Sequence, residues 1–83
     1  MDYRGYSKRI IDANAKADTT NLGVLLGRYC IGRDISAVDI AAKIGVSKMT
    51  IYRWFTGQWE PRDKYGDKIL AILQGAEKPK NRK

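Results

Sequence analysis

The sequence predicts an all-α domain, a compact bundle of four to five helices: four in the core and, ahead of them, an arm or an extra helix. Three observations carry this. Capping residues recur just before apolar stretches: Ser7, the cluster Asp18-Thr19-Thr20-Asn21, Ser36 and Ser47. The apolar residues behind them follow helical spacing, and no strand-like alternation of useful length occurs. The chain has 83 residues with one Cys and no His, so neither an intramolecular disulfide nor a zinc finger can brace it. A chain this short makes one domain, and without such staples it relies on tightly packed helices or on a partner.

In chain order, Ser7 caps a short helix running to about Ala17, with Ile10, Ile11 and Ala17 as a thin apolar stripe. After Asn21, Leu22, Leu25, Leu26 and Tyr29 follow the i, i+3, i+4, i+7 template of a buried face. That helix ends near Ile31, with Gly32 free to turn left-handed. Gly23 and Gly27 form a G-x-x-x-G pair, read here as close packing between helices. Cys30 lies beside the same face as an inert core thiol. Ser36 caps the next helix, whose inner positions are Ile40, Ala41 and Ile44, and Gly45 stops it. Ser47 restarts the chain as a helix from Lys48 to about Phe55, ended by Thr56 and Gly57. Pro61 suits the first turn of a last helix, with Tyr65, Ile69, Leu70 and Leu73 on its buried side.

Charge narrows the function. Sixteen Lys and Arg against nine Asp and Glu give a net +7, which points to a polyanion, most often nucleic acid. Residues 75–83 hold four basic side chains and one acidic, and read as a disordered basic tail. Residues 1–18 read as an N-terminal arm or extra helix, residues 19–74 as the domain proper. In the arm, Arg4, Lys8 and Arg9 suit a minor groove, whereas Tyr3, Tyr6, Ile10 and Ile11 suit packing, the favoured reading. The most apolar window, Leu22 to Ile31, is broken by two Gly and an Arg and is too short to span a bilayer. A single thiol and no export signal fit a cytoplasmic setting. No carboxylate pair, activated nucleophile or phosphate-cradling glycine loop is visible, so the expectation is neither an enzyme nor a protein with a metal or cofactor.

The informative stretch is Ser36 to Trp54: two short helices joined by a tight turn. Ala41 is small enough for a close crossing. Gly45 supplies the positive φ that redirects the chain. Val46, Ile51 and Trp54 close the wedge. Two helices meeting in this way form a helix-turn-helix, whose second helix can enter the major groove. With Ile51 set inward and about 100° per residue, Ser47, Trp54 and Phe55 fall on the buried side. Lys48, Met49, Tyr52 and Arg53 face outward, with Thr50 at the margin. That surface suits base edges: Arg53 for guanine O6 and N7, Lys48 for a base or phosphate, Met49 for a thymine methyl, Tyr52 for phosphate or sugar.

The spacing of Ala41, Gly45, Ile51 and Trp54, with Gly57 and Pro61 behind, resembles the lambda-repressor-like, Cro-type helix-turn-helix family. The resemblance covers about Leu22 to Leu73. It implies binding of double-stranded operator DNA, commonly as a homodimer, by a phage or bacterial transcriptional repressor. It also implies that the loop holding Trp59 runs close to the DNA backbone, which puts the indole N–H or the backbone there at a phosphate; the alternative, and the favoured reading, lays Trp59 over Pro61 and Tyr65 as a lid on the core. Arg62 and Lys64 then suit phosphates, as do Ser36, Ser47 and Thr50 at the helix starts, with Arg33 a weaker candidate. Two positions depart from the family. Ala37 stands where many members have a Gln that grips phosphate, which leaves Ser36 and the helix-start amides to serve. Phe55 stands where a charged residue is frequent, and reads as an extension of the core or as part of a subunit interface.

Excisionases and mercury-resistance-type regulators share the Val-Ser…Ile-Tyr-Arg-Trp run. They place three residues between Trp and Gly, against two here, and follow the motif with strands. A DNA-packaging protein, such as a small terminase subunit, is a further reading, as is a module whose basic face meets an acidic protein.

Overall fold

Each cap seen in the sequence starts a helix in the computed structural model, which describes residues 6–75. Among these residues there are five helices and no strand: α1 (Lys8–Lys16), α2 (Leu22–Gly32), α3 (Ala37–Ile44), α4 (Lys48–Phe55) and α5 (Asp63–Leu73). The Ser7 Oγ accepts from the Ile10 N–H at 3.1 Å, and the Asn21 Oδ1 from the Gly23 N–H at 2.8 Å. The Ser36 and Ser47 hydroxyls accept from the Asp39 and Thr50 N–H groups, each at 3.1 Å. Each such cap satisfies an orphan donor and contributes about 1 kcal/mol.

The helix ends differ in one place from the expectation. Gly45 is left-handed after α3 (φ 95°) and Gly57 follows α4 in the same conformation (φ 83°). Gly32, by contrast, stays inside α2, and the left-handed residue is Asp34 (φ 60°). The reason is a paired set of terminal bonds. The Ile35 N–H reaches the Cys30 carbonyl at 2.9 Å and the Asp34 N–H reaches that of Ile31 at 3.4 Å, which puts the reversal at Asp34. A short polar side chain tolerates that conformation better than most. Pro61 also lies outside its expected place. Arg62 is extended (φ −72°, ψ 160°), so α5 begins only at Asp63.

α4 packs against α1, α2 and α3, and α2 packs against α1, α4 and α5. Leu26, Cys30, Ile40, Ile44, Ile51, Trp54, Phe55 and Ile69 fill the space between them. Full burial of each large aliphatic or aromatic residue among them is worth about 1.5–3 kcal/mol. Phe55 is completely buried, which makes it core rather than surface. The inner face of α2 is rotated from the expected stripe: Val24 and Cys30 are buried while Leu25 is exposed. Two glycines set this rotation. A Cβ on Gly23 would stand 2.6 Å from the Trp54 Cβ, and one on Gly27 would stand 2.8 Å from the Phe55 Cγ. α2 and α4 therefore touch almost backbone to side chain along that line. In α5, Ile72 joins Ile69 in the core, Tyr65 and Leu73 are half-buried, and Leu70 faces outward.

The N-terminal segment belongs to the same core. Tyr6 is buried against Phe55, with ring centroids 5.8 Å apart, and its hydroxyl donates to the Ile35 carbonyl at 2.6 Å. Asn14 is a buried polar residue whose Nδ2 donates to the Val24 carbonyl at 3.1 Å and the Phe55 carbonyl at 2.8 Å. It thus caps the end of α4 from α1. Arg28 returns the bond, its guanidinium donating to the carbonyls of Asn14 and Ala15 at the end of α1. Packing is the reading that holds for Tyr6, Ile10 and Ile11, while Lys8 and Arg9 lie exposed. Tyr3, Arg4 and the basic residues of the tail lie outside the described residues. No helix among the described residues is long and apolar enough to cross a membrane.

Candidate nucleic-acid interface

α3 and α4 are eight residues each, joined by Gly45, Val46 and Ser47. The Gly45 and Val46 N–H groups both donate to the Ala41 carbonyl, at 2.7 and 3.0 Å. This pair of hydrogen bonds to one carbonyl closes α3 and sets where α4 starts. Ser47 caps α4 and its Oγ lies 3.0 Å from the Thr50 Oγ1, so both hydroxyls sit at the helix start. Ser47 itself is exposed, not buried, because a capping side chain lies outside the helix it starts.

The outward side of α4 carries the four expected residues. Lys48 and Met49 are exposed, Met49 at 59% of its surface. Tyr52 is half-buried, packed partly against the core. Arg53 is half-buried for a different reason: its guanidinium carbon lies 4.5 Å above the centre of the Trp59 ring. Among the described residues, the side chains of Lys48 and Arg53 make no hydrogen bond or ion pair. Their donors are available to a ligand.

A groove of about 720 Å³ runs beside the start of α4. It is lined by Ser47, Thr50, Trp59, Arg62 and Lys64, among others, which are five of the six phosphate candidates. Ser36 lies apart from it, at the start of α3, with its hydroxyl engaged in the cap. Lys64 is laid across the wall: its Nζ lies 5.2 Å above the Tyr65 ring, and Tyr65 packs on Trp54 at 5.4 Å between centroids. Arg33 is placed similarly, over Tyr29 at 4.5 Å. Glu60 also lines the groove and is the one acidic residue there.

The sequence favours Trp59 as a lid on the core, laid over Pro61 and Tyr65, and the structure corrects that expectation. Trp59 is 49% exposed and serves as the platform for Arg53. Its backbone is held at both ends: its N–H donates to the Arg53 carbonyl at 3.1 Å, and its carbonyl accepts from the Asn21 Nδ2 at 3.2 Å. Asn21 is the residue that sequence reading missed here. It is legible as the cap of α2, but nothing in the sequence marks its second bond, 38 positions away.

The described residues contain no group of three or more His, Cys, Asp or Glu placed to hold a metal ion. Together α3, the tight turn and α4 make this a small all-α helix-turn-helix domain. Comparison with family models, with curated proteins and with solved structures finds no match to the chain.

Proposed function

We propose that this protein is a sequence-specific regulator of transcription that binds double-stranded DNA, of the lambda-repressor-like kind, acting as a phage or bacterial repressor in the host cytoplasm. The observation that carries the reading is the division of labour around α4. Lys48, Met49, Tyr52 and Arg53 stand on one side of a capped helix, and Ser47, Thr50, Arg62 and Lys64 share the groove beside its start. The first set suits base edges. The second suits the backbone, which positions a protein on the duplex without carrying sequence information. The net charge of +7 fits the same ligand. As a homodimer the protein would meet half-sites about 34–36 Å apart along the duplex.

Selection of bound sequences from random double-stranded DNA tests the proposal. The expected result is a definite motif, with affinity that falls steeply as salt rises. Failure to retain any DNA at low salt would overturn it and turn attention to an acidic protein partner.

A further inference from the structure

We propose that Trp59 is a positioning residue for Arg53, holding its guanidinium flat and ready for a guanine edge; this rests on the DNA-binding reading above. The two residues are six positions apart, and the left-handed Gly57 between them turns the chain back beside α4. The guanidinium carbon lies 4.5 Å from the Trp59 ring centre, within the range where a cation is attracted to an indole face. The indole ring lies against the guanidinium carbon. Among the described residues none of the guanidinium N–H donors has an acceptor. Glu60, adjacent to Trp59 in the chain, makes no ion pair with Arg53. A planar cation held against a ring, with its N–H donors unpaired, is matched to an acceptor pair such as guanine O6 and N7.

The platform is itself fixed. The Trp59 N–H bonds the Arg53 carbonyl, and its own carbonyl is held by Asn21, whose Oδ1 caps α2. An unstacked arginine samples many rotamers and must lose that freedom when it binds. An exposed cation–π contact favours the stacked arrangement by about two- to fivefold, so that is the size of the positioning effect. It is at most as large as the weakest base contact, since loss of Arg53 costs about five- to 150-fold in discrimination.

The experiment compares Trp59→Ala, Trp59→Phe and Arg53→Ala in the full chain, with two readouts. In the free protein, nuclear magnetic resonance reports the ring-current shift of the Arg53 side-chain protons. The shift should be large in the wild type, retained in part in Trp59→Phe and lost in Trp59→Ala. On DNA, profiles of bound sequences should show Trp59→Ala losing about two- to fivefold preference at the one base position that Arg53→Ala also relaxes. The double variant should be no worse there than Arg53→Ala. Equal weakening of all sequences by Trp59→Ala would overturn the proposal and make Trp59 a backbone contact. Absence of the ring-current shift in the wild type would overturn it independently of DNA. A wild type that keeps the shift but binds no DNA would overturn the function and, with it, the purpose assigned to the stack. Trp59 is half exposed, so its truncation leaves the core intact, and Trp59→Phe guards against a folding defect.

Discussion

Gly27 and Gly66 are both helical, yet their surroundings give opposite expectations. Replacing a helical glycine by alanine gains about 1 kcal/mol from backbone entropy alone. At Gly66 a Cβ meets nothing within 4 Å, so Gly66→Ala should stabilise by about 0.5–1 kcal/mol. At Gly27 the new Cβ would lie 2.5 Å from the Asn14 Nδ2 and 2.8 Å from the Phe55 Cγ. Overpacking of this kind costs about 1–3 kcal/mol, and here it would also displace the amide that caps α4. Gly27→Ala should therefore destabilise. Denaturant midpoints for the two variants check this, and a shift of the same sign in both would contradict the packing described.

Cys30 sets an alkaline limit. Burial pushes its thiol from an ordinary 9.0 up to about 12. Tyr6 is also raised above its ordinary value of 10.0, by burial first and then by nearby Cys30, Tyr52 and Asp39. In both, the folded chain holds its proton more tightly than the unfolded one. Their contribution is fully present below the unfolded value and is lost as pH rises through the folded one. The denaturant midpoint should not respond to these groups near neutral pH and should fall once pH passes 9.0. In Cys30→Ala the onset should move upward, towards the Tyr6 range. An unmoved onset would assign the loss to other groups.

At the scale of elements, Asn21 joins the start of α2 to the loop after α4. One carboxamide does both: its oxygen caps and its nitrogen holds Trp59. Asn21→Ser should separate the two roles, because serine caps as well as asparagine but is too short to reach the loop. The expected result is a small change in stability with faster amide exchange in the loop from Gly57 to Trp59. Unchanged exchange there would show that the Arg53 carbonyl alone holds Trp59. The limits of α3 and α4 were legible in the sequence because caps and left-handed glycines act within five residues. The inner face of α2 was not. Helical spacing alone fits Leu25 as well as Val24, and the choice rests on Gly23 and Gly27 lying against Trp54 and Phe55. In α5 the same spacing selects Leu70 for the buried side, whereas the docked helix buries Ile72 and leaves Leu70 exposed.

For the whole molecule, salt dependence is the property that unites the charges. Arg62 and Lys64 line one groove with the start of α4. If each neutralises one phosphate, the pair accounts for about −1.8 in the slope of log affinity against log salt. Replacing both by alanine should flatten the slope by that amount per protomer and weaken preferred and random DNA alike. A change of preferred sequence instead would move them from the backbone to the bases. Five of the six residues singled out for phosphate fall in that groove, although they come from α4, α5, the turn before α4 and the loop after it. Residue type and nearness to a helix start marked most of them as candidates. The Arg53–Trp59 stack was not found that way, since it depends on how the chain returns after Gly57.

The sequence by itself determined the four core helices, the turn at Gly45 and the outward side of α4, all of which follow from interactions between residues close along the chain. Only the tertiary structure decided which face of α2 is inner, that Asn14 caps α4 from α1, that Asn21 bonds the Trp59 carbonyl, and that the Trp59 ring lies against Arg53. The hydrogen bonds from Asn14 to Phe55 and from Asn21 to Trp59 span 41 and 38 positions. Such pairings exist only once helices have docked, and docking is set by side-chain shape and close backbone approach, which periodicity along one helix does not encode.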